Sequence, residues 1–309
     1  MSTVAVLGAT GAMGLRVCRG LRRWAPGVQV LGANRSGTGH REFPVCAADL
    51  HHPASLAPLL RASALLVNAV GPYAYEPGPL VRACIDARVH YVDLAENATF
   101  VAAVTRAARA GGAAEAGIAV VPGASTVPGL VALLGSRWRD ETQVARLSAW
   151  LSMGSGNPVS PGLLAGLLAP LGRQAGDGRR WFTRLARLEA DGRRLAIGRS
   201  PIALLGRLPP RSVRRLAGLV PLASLVRPFG TPRGVLAVCA HDAAGRELGR
   251  IEVRARKRGL DVPALPSVWI AARLHAEGGL PVRGVGALGD VVPLEHALDR
   301  LRGAGYEVT

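Results

Sequence analysis

The chain has 309 residues, of which 49% are hydrophobic and 19% charged, so it can bury a core and is not a disordered protein. Its formal net charge is +17, but the basic residues are spread along the chain, nearly all are arginine, and only 4% of residues are aromatic; we therefore expect no nucleic-acid binding and a surface suited to an anionic cofactor or substrate. The four cysteines form no CxxC pair, which argues against a disulfide framework or a zinc site, and no metal is expected.

Short apolar runs alternate with helical segments through about the first 125 residues. The runs predicted as strands are 3–7, 28–33, 45–48, 64–70, 90–92 and 118–121, and the helices predicted between them are 15–24, 53–60, 79–87 and 99–111. This alternation is typical of an α/β protein with a Rossmann-type, doubly wound parallel sheet that carries helices on both faces.

The pattern changes after this region. It predicts a helix at 127–138, a strand at 145–153, a loop at 154–161, a helix at 163–171, an antiparallel hairpin at 235–240 and 247–255, and helices at 263–276 and 293–302. An antiparallel hairpin needs a layer of its own, and the last two helices have apolar faces that a parallel sheet can cover. We expect residues 1–145 and 263–309 to form a dinucleotide-binding domain, and 146–262 an inserted α+β substrate or cap domain with an antiparallel sheet.

The stretch 201–229 is basic and amphipathic. It mixes leucine, valine and alanine with five arginines, Arg207, Arg211, Arg214, Arg215 and Arg227. We favour a lid over the substrate site or a contact between subunits of a homodimer; the alternative is a segment that lies on a membrane surface. The chain opens on a strand rather than a signal peptide and has no apolar run long enough to cross a bilayer, so a cytoplasmic protein is expected.

The first predicted strand runs into a glycine-rich loop with the spacing GxxGxxG. Gly8 permits a tight turn, Gly11 leaves room for a pyrophosphate at the helix N-terminus, and Gly14 lets the helix approach the strand closely. A loop of this kind between an apolar strand and a helix is typical of dinucleotide binding. Its candidate cofactor-binding residues are Gly8, Thr10, Gly11, Ala12, Met13 and Gly14.

The end of the second strand distinguishes NADP from NAD. An acidic residue there binds the ribose hydroxyls of NAD, whereas an arginine binds the 2′-phosphate of NADP. The chain has Asn34, Arg35 and Ser36 at this point, which favours NADP and leaves NAD as the alternative. Further cofactor-binding candidates follow the third and fourth strands: Asp49, Asn68, Ala69 and Gly71.

Three further segments carry a family resemblance. Asn68-Ala69-Val70-Gly71-Pro72-Tyr73, then Gly78-Pro79-Leu80-Val81-Arg82-Ala83-Cys84, then His90-Tyr91-Val92-Asp93-Leu94 resemble the NADP-binding region of the saccharopine dehydrogenase-like oxidoreductases. The resemblance spans about residues 3–130, and 284–305 resembles the family's closing helix. It implies the Rossmann fold, NADP as cofactor and oxidoreductase activity.

The chain departs from that family in two ways. In the turn Gly123–Leu130, Ser125 and Leu130 stand where family members often have acids, and Lys257 is the only lysine. The fold and the cofactor are therefore carried over from the resemblance, but not the amino-acid substrate.

Candidates for the chemistry follow the fourth and fifth strands. The catalytic candidates are Tyr73, Tyr91 and Asp93, with a tyrosine or the pair Asp93 and Glu96 as proton donor; Tyr75 and Asn97 can also reach a substrate. The alternatives are that Tyr91 is a core residue with a tethered hydroxyl and that Asp93 only holds its loop. A short-chain dehydrogenase is excluded, because its Tyr-x-x-x-Lys pair would need a tyrosine at Val253.

Two functions fit the sequence. The first is an NADPH-dependent oxidoreductase that transfers hydride to a C=N, C=C or C=O group of a small or lipid-like substrate. The alternative is a non-catalytic dinucleotide-binding protein, either a redox sensor or a membrane-associated scaffold.

Overall fold

The computed structural model describes residues 2–152, 157 and 233–309. These residues form two compact units, unit 1 with Met1–Leu130 and Asp261–Pro293, and unit 2 with Val131–Leu260 and Leu294–Thr309. The predicted loop 154–161, the predicted helix 163–171 and the basic stretch 201–229 lie outside the described residues. Along the parts of the chain that are described, no helix has the length and apolarity needed to cross a membrane.

The regular elements follow the chain in this order. The strands are β1 Thr3–Leu7, β2 Gln29–Asn34, β3 Val45–Ala47, β4 Leu65–Asn68, β5 His90–Asp93, β6 Ala119–Val121, β7 Arg146–Ser152, β8 Gly234–His241, β9 Glu247–Ala255, β10 Gly284–Val285 and β11 Glu307–Val308. The α-helices are α1 Ala12–Trp24, α2 Ala57–Arg61, α3 Gly78–Asp86, α4 Ala98–Ala110, α5 Ala132–Gly135, α6 Leu265–Glu277, α7 Leu288–Val291 and α8 Leu294–Gly303. Single 3₁₀ turns cover Pro53–Leu56, Ser136–Trp138 and Gly259–Ala264, and a π-helical turn covers Thr126–Val131.

Unit 1 is built on a seven-stranded sheet. Its strand order is β10-β6-β5-β4-β1-β2-β3, and every neighbouring pair is parallel. Because helices cover both faces of such a sheet, its strands can be apolar throughout, and all four residues of β4 are buried. The predicted doubly wound parallel sheet is confirmed, and β10 extends it by one strand.

Helix α1 follows the glycine loop and lies against this sheet. Its buried residues Gly14, Val17, Cys18 and Leu21 share one face, as the helical period requires, while all four of its arginines lie at other positions. Gly20 marks a close approach to α6, because a Cβ there would lie 2.8 Å from Cγ2 of Val268. Helix α6, which follows the antiparallel hairpin in the chain, therefore packs on α1 and belongs to the unit with the parallel sheet.

Unit 2 is built on a four-stranded antiparallel sheet in the order β11-β9-β8-β7. Its hairpin turn is closed by Asp242, whose Oδ1 accepts from the Arg246 N–H at 2.8 Å, and by Gly245 at φ +84°. On one face of the sheet Gly249 packs against the indole of Trp138. The predicted separate antiparallel sheet is confirmed.

The C-terminal segment divides differently from the predicted boundaries, which gave all residues after 262 to the cofactor domain. Helices α6 and α7 and strand β10 do belong to unit 1, but Leu294–Thr309 belongs to unit 2. The reason is strand pairing: β11 pairs antiparallel with β9, and Thr309 exchanges two backbone hydrogen bonds with Glu252. The pairing of the two-residue strand β11 with β9 thus joins helix α8 to unit 2.

Candidate functional site

The candidate site residues of unit 1 lie at one edge of its sheet. Parallel strands end at the same edge, so the segments that follow β1 to β5 come together there. The glycine loop follows β1, Asn34 ends β2, Asp49 follows β3, Asn68 ends β4 and Asp93 ends β5. Neighbouring positions in the register include Leu7 beside Asn68 and Asn68 beside Asp93.

The glycine loop has the geometry that close packing on β1 requires. Gly8 has φ +81°, and its N–H donates to the Ala33 carbonyl at 2.9 Å. At Gly14 a Cβ would lie 2.1 Å from the Gly8 carbonyl oxygen, a distance that no side chain can occupy. At Gly11 the only atom near such a Cβ is that same oxygen, at 3.1 Å, and the residue is exposed. The loop is therefore closed toward the sheet at Gly14 and open toward solvent at Gly11.

The start of helix α1 offers free donors to an anion. Its first turn contains no acidic residue and its N-cap, Gly11, has no side chain to accept from the first N–H groups. The leading N–H groups of any α-helix lack intrahelical acceptors and carry the positive end of the helix dipole. Exposed Ala12 and half-buried Met13 are the residues that present these groups.

The loops after β1 and β4 touch across the point where the strand order reverses. A Cβ on Gly8 would lie 3.0 Å from Cγ2 of Val70 and 3.2 Å from the Ala69 carbonyl oxygen. Next to this contact Gly71 is exposed, and no atom of the described residues lies within 4 Å of the position its Cβ would take. In open α/β sheets this reversal is the place where ligands bind.

The end of β2 forms a small polar loop. Asn34 Nδ2 donates to Thr10 Oγ1 at 3.3 Å and to the Thr38 carbonyl at 3.0 Å, which ties this loop to the glycine loop. The hydroxyls of Ser36 and Thr38 are 2.6 Å apart. Arg35 is exposed and makes no ion pair with any residue in the described segments.

Asp49 holds the turn that follows β3. Its Oδ1 accepts from the His51 N–H at 3.0 Å, and its carbonyl accepts from the His52 N–H and from Ser55 Oγ. The residue is half-buried. It stands at the site edge, with one carboxylate oxygen used by its own turn.

Asn68 is the centre of a buried polar cluster. Its side chain is fully buried, and its Nδ2 donates to the hydroxyls of Tyr75 at 2.8 Å and Tyr91 at 3.0 Å. Its Oδ1 accepts from the Val70 N–H at 3.2 Å. Its carbonyl accepts from the Tyr73 hydroxyl at 2.9 Å. One asparagine thus contacts the hydroxyls of three tyrosines.

Tyr73 and Tyr75 form one wall of the site with Phe100. The Phe100 ring stands edge-on to both, with centroids 5.0 Å from Tyr73 and 5.2 Å from Tyr75. Tyr73 has φ 57°, and its hydroxyl also accepts from the Leu94 N–H at 3.3 Å. A tyrosine in this region of φ costs roughly 1–3 kcal/mol, so the hydroxyl bonds hold it in place. The Tyr73 hydroxyl donates its proton within the protein, to the backbone carbonyl of Asn68.

Asp93 is a fully buried carboxyl group. Its Oδ1 accepts from the N–H groups of Gly123 at 2.8 Å and Ala95 at 2.9 Å, while Oδ2 is buried without a hydrogen-bond partner among the described residues. Burial raises the pKa of Asp93 to about 6, against the lowering effect of those two N–H groups and of the Tyr91 hydroxyl.

The turn after β6 explains the departure at Ser125. Its hydroxyl donates to Oε1 of Glu96 at 3.0 Å, and the Thr126 N–H donates to the same oxygen at 3.2 Å. Burial raises the pKa of Glu96, and the Ser125 hydroxyl opposes that rise. An acid at position 125 would instead place a second carboxylate against Glu96. Asn97 is used as the N-cap of α4, where its Oδ1 accepts from the Thr99 N–H.

Sequence reasoning missed two of these relations. It did not pair Asn68 with Tyr75, although Tyr75 lies in the same Gly/Pro loop, and it did not pair Ser125 with Glu96. The second had a signal in the sequence: a serine, Ser125, stands where family members often have an acid, and it contacts the acid Glu96. The first had no signal in the sequence, because a hydrogen bond between residues seven positions apart depends on the conformation of an irregular loop.

Comparisons with known proteins give one family match. Residues 4–121 match the family model described as the saccharopine dehydrogenase NADP binding domain; the match runs from β1 to the end of β6 and includes the loops that follow β1 to β5, but not the turn after β6. No curated protein sequence matches the chain.

The fold is shared with solved dehydrogenase structures over nearly the whole chain. Saccharopine dehydrogenase (L-Glu forming) from Saccharomyces cerevisiae superposes with a TM-score of 0.57 at 12% identity, covering 100% of this chain and 99% of that one. A meso-dapdh mutant with DAP, from Clostridium tetani, gives 0.50 at 11% identity, covering 98% and 99%. An engineered D-amino acid dehydrogenase bound to NADP⁺ gives 0.50 at 14% identity, covering 98% of each chain. At sequence identities of 11–14%, these superpositions show a shared fold and nothing further.

Proposed function

From the match of residues 4–121 to the saccharopine dehydrogenase NADP binding domain, we propose that the chain is an NADPH-dependent oxidoreductase that reduces a C=N, C=C or C=O group of a small or lipid-like substrate. The observation that carries the proposal is that two exposed glycines, Gly11 and Gly71, lie on either side of the point where the strand order reverses. A dinucleotide laid across this point meets backbone rather than side chains.

The start of α1 would bind the pyrophosphate of the cofactor. The N–H groups of Ala12 and Met13 donate to its oxygens, and Gly11 contributes by having no side chain in the way. At the adenosine end of the cofactor, the Arg35 guanidinium and the Ser36 hydroxyl would bind the 2′-phosphate. Thr10 and Asn34, which are hydrogen-bonded to each other, hold the two loops at a fixed spacing.

The other end of the cofactor would lie beside Ala69 and Gly71, at the end of β4. NADPH supplies the hydride when it is bound there. Half-buried Tyr73 and Tyr75, which pack on the buried ring of Phe100, would offer aromatic surface to an apolar substrate, which fits a small or lipid-like molecule. Asp93 stands beside Asn68 in the strand register and is fully buried, so it would act on the site only through neighbouring residues.

Cofactor binding and turnover can be measured separately. We expect NADPH to bind the full chain more tightly than NADH by titration calorimetry, and NADPH absorbance to fall with at least one member of a panel of imines, enones and ketones. Tight NADPH binding without turnover on a broad panel would favour the non-catalytic alternative. Absence of NADPH binding would reject both functions.

The non-catalytic alternative is supported by the state of the sequence-predicted catalytic groups. Tyr73 donates its proton to the Asn68 carbonyl, and both Tyr91 and Asp93 are fully buried. A cofactor-binding redox sensor needs no proton donor in contact with substrate. Under this alternative, NADPH binding persists while no carbonyl, imine or alkene is reduced.

A further inference from the structure

The orientation of the Asn68 amide is fixed by a backbone group. The Val70 N–H can only donate, so the side-chain atom of Asn68 that it meets at 3.2 Å must be the oxygen. The nitrogen then faces the hydroxyls of Tyr75 and Tyr91 with its two hydrogens. Both phenol oxygens therefore accept from the Asn68 Nδ2 group.

The three phenol protons have different destinations. The Tyr73 proton goes to the Asn68 carbonyl at 2.9 Å. Tyr91 is fully buried, and its hydroxyl lowers the pKa of the Asp93 carboxyl group, so its proton is retained inside the protein. The Tyr75 hydroxyl has one acceptor within reach among the described residues, Asn68 Oδ1 at 3.2 Å, and that oxygen already accepts from Val70.

Tyr75 is also placed where a ligand can reach it. Like Tyr73 it is half-buried and lies in the loop that begins at the exposed Gly71, whereas Tyr91 is fully buried, and unlike Tyr73 it does not donate its proton to a backbone carbonyl. Burial raises its pKa above the ordinary value, so the hydroxyl stays protonated at neutral pH and acts as a donor. The Nδ2 bond from Asn68 fixes the phenol oxygen, and the phenol proton, which is donated to Asn68 Oδ1 over a long 3.2 Å, can turn toward a substrate oxygen that approaches more closely.

We propose that Tyr75 is the substrate-contacting hydrogen-bond donor of this site, that Asn68 is the residue that positions it, and that the group it recognises is a carbonyl oxygen. This assignment rests on the proposed function. It places the proton donor at a residue different from Tyr73, Tyr91 and Asp93, the sequence-based candidates.

The chemistry balances with the groups named. The carbonyl carbon accepts the hydride of NADPH, and the π pair of the C=O bond moves to the oxygen. That oxygen takes the Tyr75 proton as its negative charge develops, and Tyr75 regains a proton from water. The carbonyl compound is reduced to an alcohol, and the cofactor leaves as NADP⁺.

The kinetic test removes only the hydroxyl of Tyr75 and keeps its ring. In Tyr75→Phe we expect kcat for a reduced ketone or aldehyde to fall about 10²-fold, the usual worth of one positioned donor, with the NADPH Kd unchanged. Tyr306→Phe is the matched control, because it removes a phenol hydroxyl in unit 2 and leaves kcat unchanged. In Asn68→Asp the carboxylate accepts from the phenol instead of donating to it, so kcat falls similarly, and adding Tyr75→Phe to that variant lowers it no further.

A spectroscopic test needs no turnover. With its four tyrosines labelled at ¹³Cζ, the full chain in equal H₂O and D₂O should give two resonances for Tyr91, whose hydroxyl exchanges slowly, and one averaged resonance for Tyr75. Single Tyr→Phe variants assign the signals. Two resonances for Tyr75 would mean that its proton is locked within the protein, and would overturn the proposal.

The kinetic outcomes separate the proposal from the function on which it rests. If the wild-type chain reduces a carbonyl and Tyr75→Phe does so equally well, the oxidoreductase function stands and Tyr75 is not its donor. If the wild-type chain reduces only imines or alkenes, the carbonyl assignment is wrong. If it binds NADPH but reduces nothing on the panel, the oxidoreductase function fails and the role of Tyr75 fails with it.

Discussion

Gly14 gives the sharpest test of the loop geometry. Replacing it by alanine adds a Cβ that would lie 2.1 Å from the Gly8 carbonyl oxygen, 2.6 Å from the Gly8 carbonyl carbon and 2.9 Å from the Ala9 Cα. All three atoms belong to the backbone, so no rotamer change relieves the clash. To reach even a 3.0 Å separation from the oxygen, α1 and the loop must separate by 0.9 Å, the difference between 3.0 and 2.1 Å.

The expected loss of stability follows from two opposed effects. Forcing one methyl group into a packed site costs roughly 1–3 kcal/mol, and more where only backbone can move. Alanine has a higher helix propensity than glycine by about 1 kcal/mol, which offsets part of that cost. We expect Gly14→Ala to lower the free energy of unfolding by about 1–2 kcal/mol in urea titrations and to weaken NADPH binding, because the loop must shift.

Gly303→Ala is the matched control. Gly303 also lies in a helix, α8, but nothing is within 4 Å of the position its Cβ would take. This variant should be as stable as the wild-type chain or slightly more so, since only the helix propensity changes. If Gly14→Ala is no less stable than Gly303→Ala, the close contact between α1 and the glycine loop does not exist as described.

Three further predictions concern the same edge of the sheet. Gly11→Asp should abolish NADPH binding in calorimetry without loss of stability, because aspartate is a favoured N-cap but puts a like charge against the pyrophosphate; undiminished affinity would reject the assignment of this loop. Arg35→Ala should weaken NADPH binding by roughly 1.5–3 kcal/mol and leave NADH binding nearly unchanged, whereas equal losses for both would show that Arg35 does not bind the 2′-phosphate. The pKa of Asp93 is raised from 3.8 to about 6 in the folded chain, so the wild-type protein should lose stability as pH rises from about 4 to 6, by roughly 3 kcal/mol at most. Asp93→Asn should remove that pH dependence and be the more stable of the two at pH 7; parallel stability curves for the two proteins would contradict this.

Much of unit 1 could be predicted from the sequence, since its strands are buried on both faces and therefore read as plain apolar runs. All six strands β1 to β6 lie within two residues of their predicted bounds. The family resemblance and NADP as the predicted cofactor are confirmed by the match over residues 4–121. The cofactor and catalytic residues named from the sequence stay predictions, although the structure brings their loops to one edge.

The parts that could not be predicted depend on short elements and distant contacts. Strands β10 and β11 have two residues each, too few for any period. The predicted helix 127–138 begins as a π turn, with Leu130 N–H bonded to the Ser125 carbonyl, because Pro128 has no N–H for a regular helical bond. The hydrogen bond between Asn68 and Tyr91 spans 23 positions and arises only when β4 and β5 pair.

The central claim is that NADP binds across the strand-order reversal of unit 1. A crystal structure of the full chain with NADP⁺ tests it most directly. We expect the pyrophosphate to accept from the N–H groups of Ala12 and Met13, the 2′-phosphate to contact Arg35, and the nicotinamide to lie beside Gly71. A cofactor bound at any other surface of the chain, or a pyrophosphate placed away from the start of α1, would contradict the account.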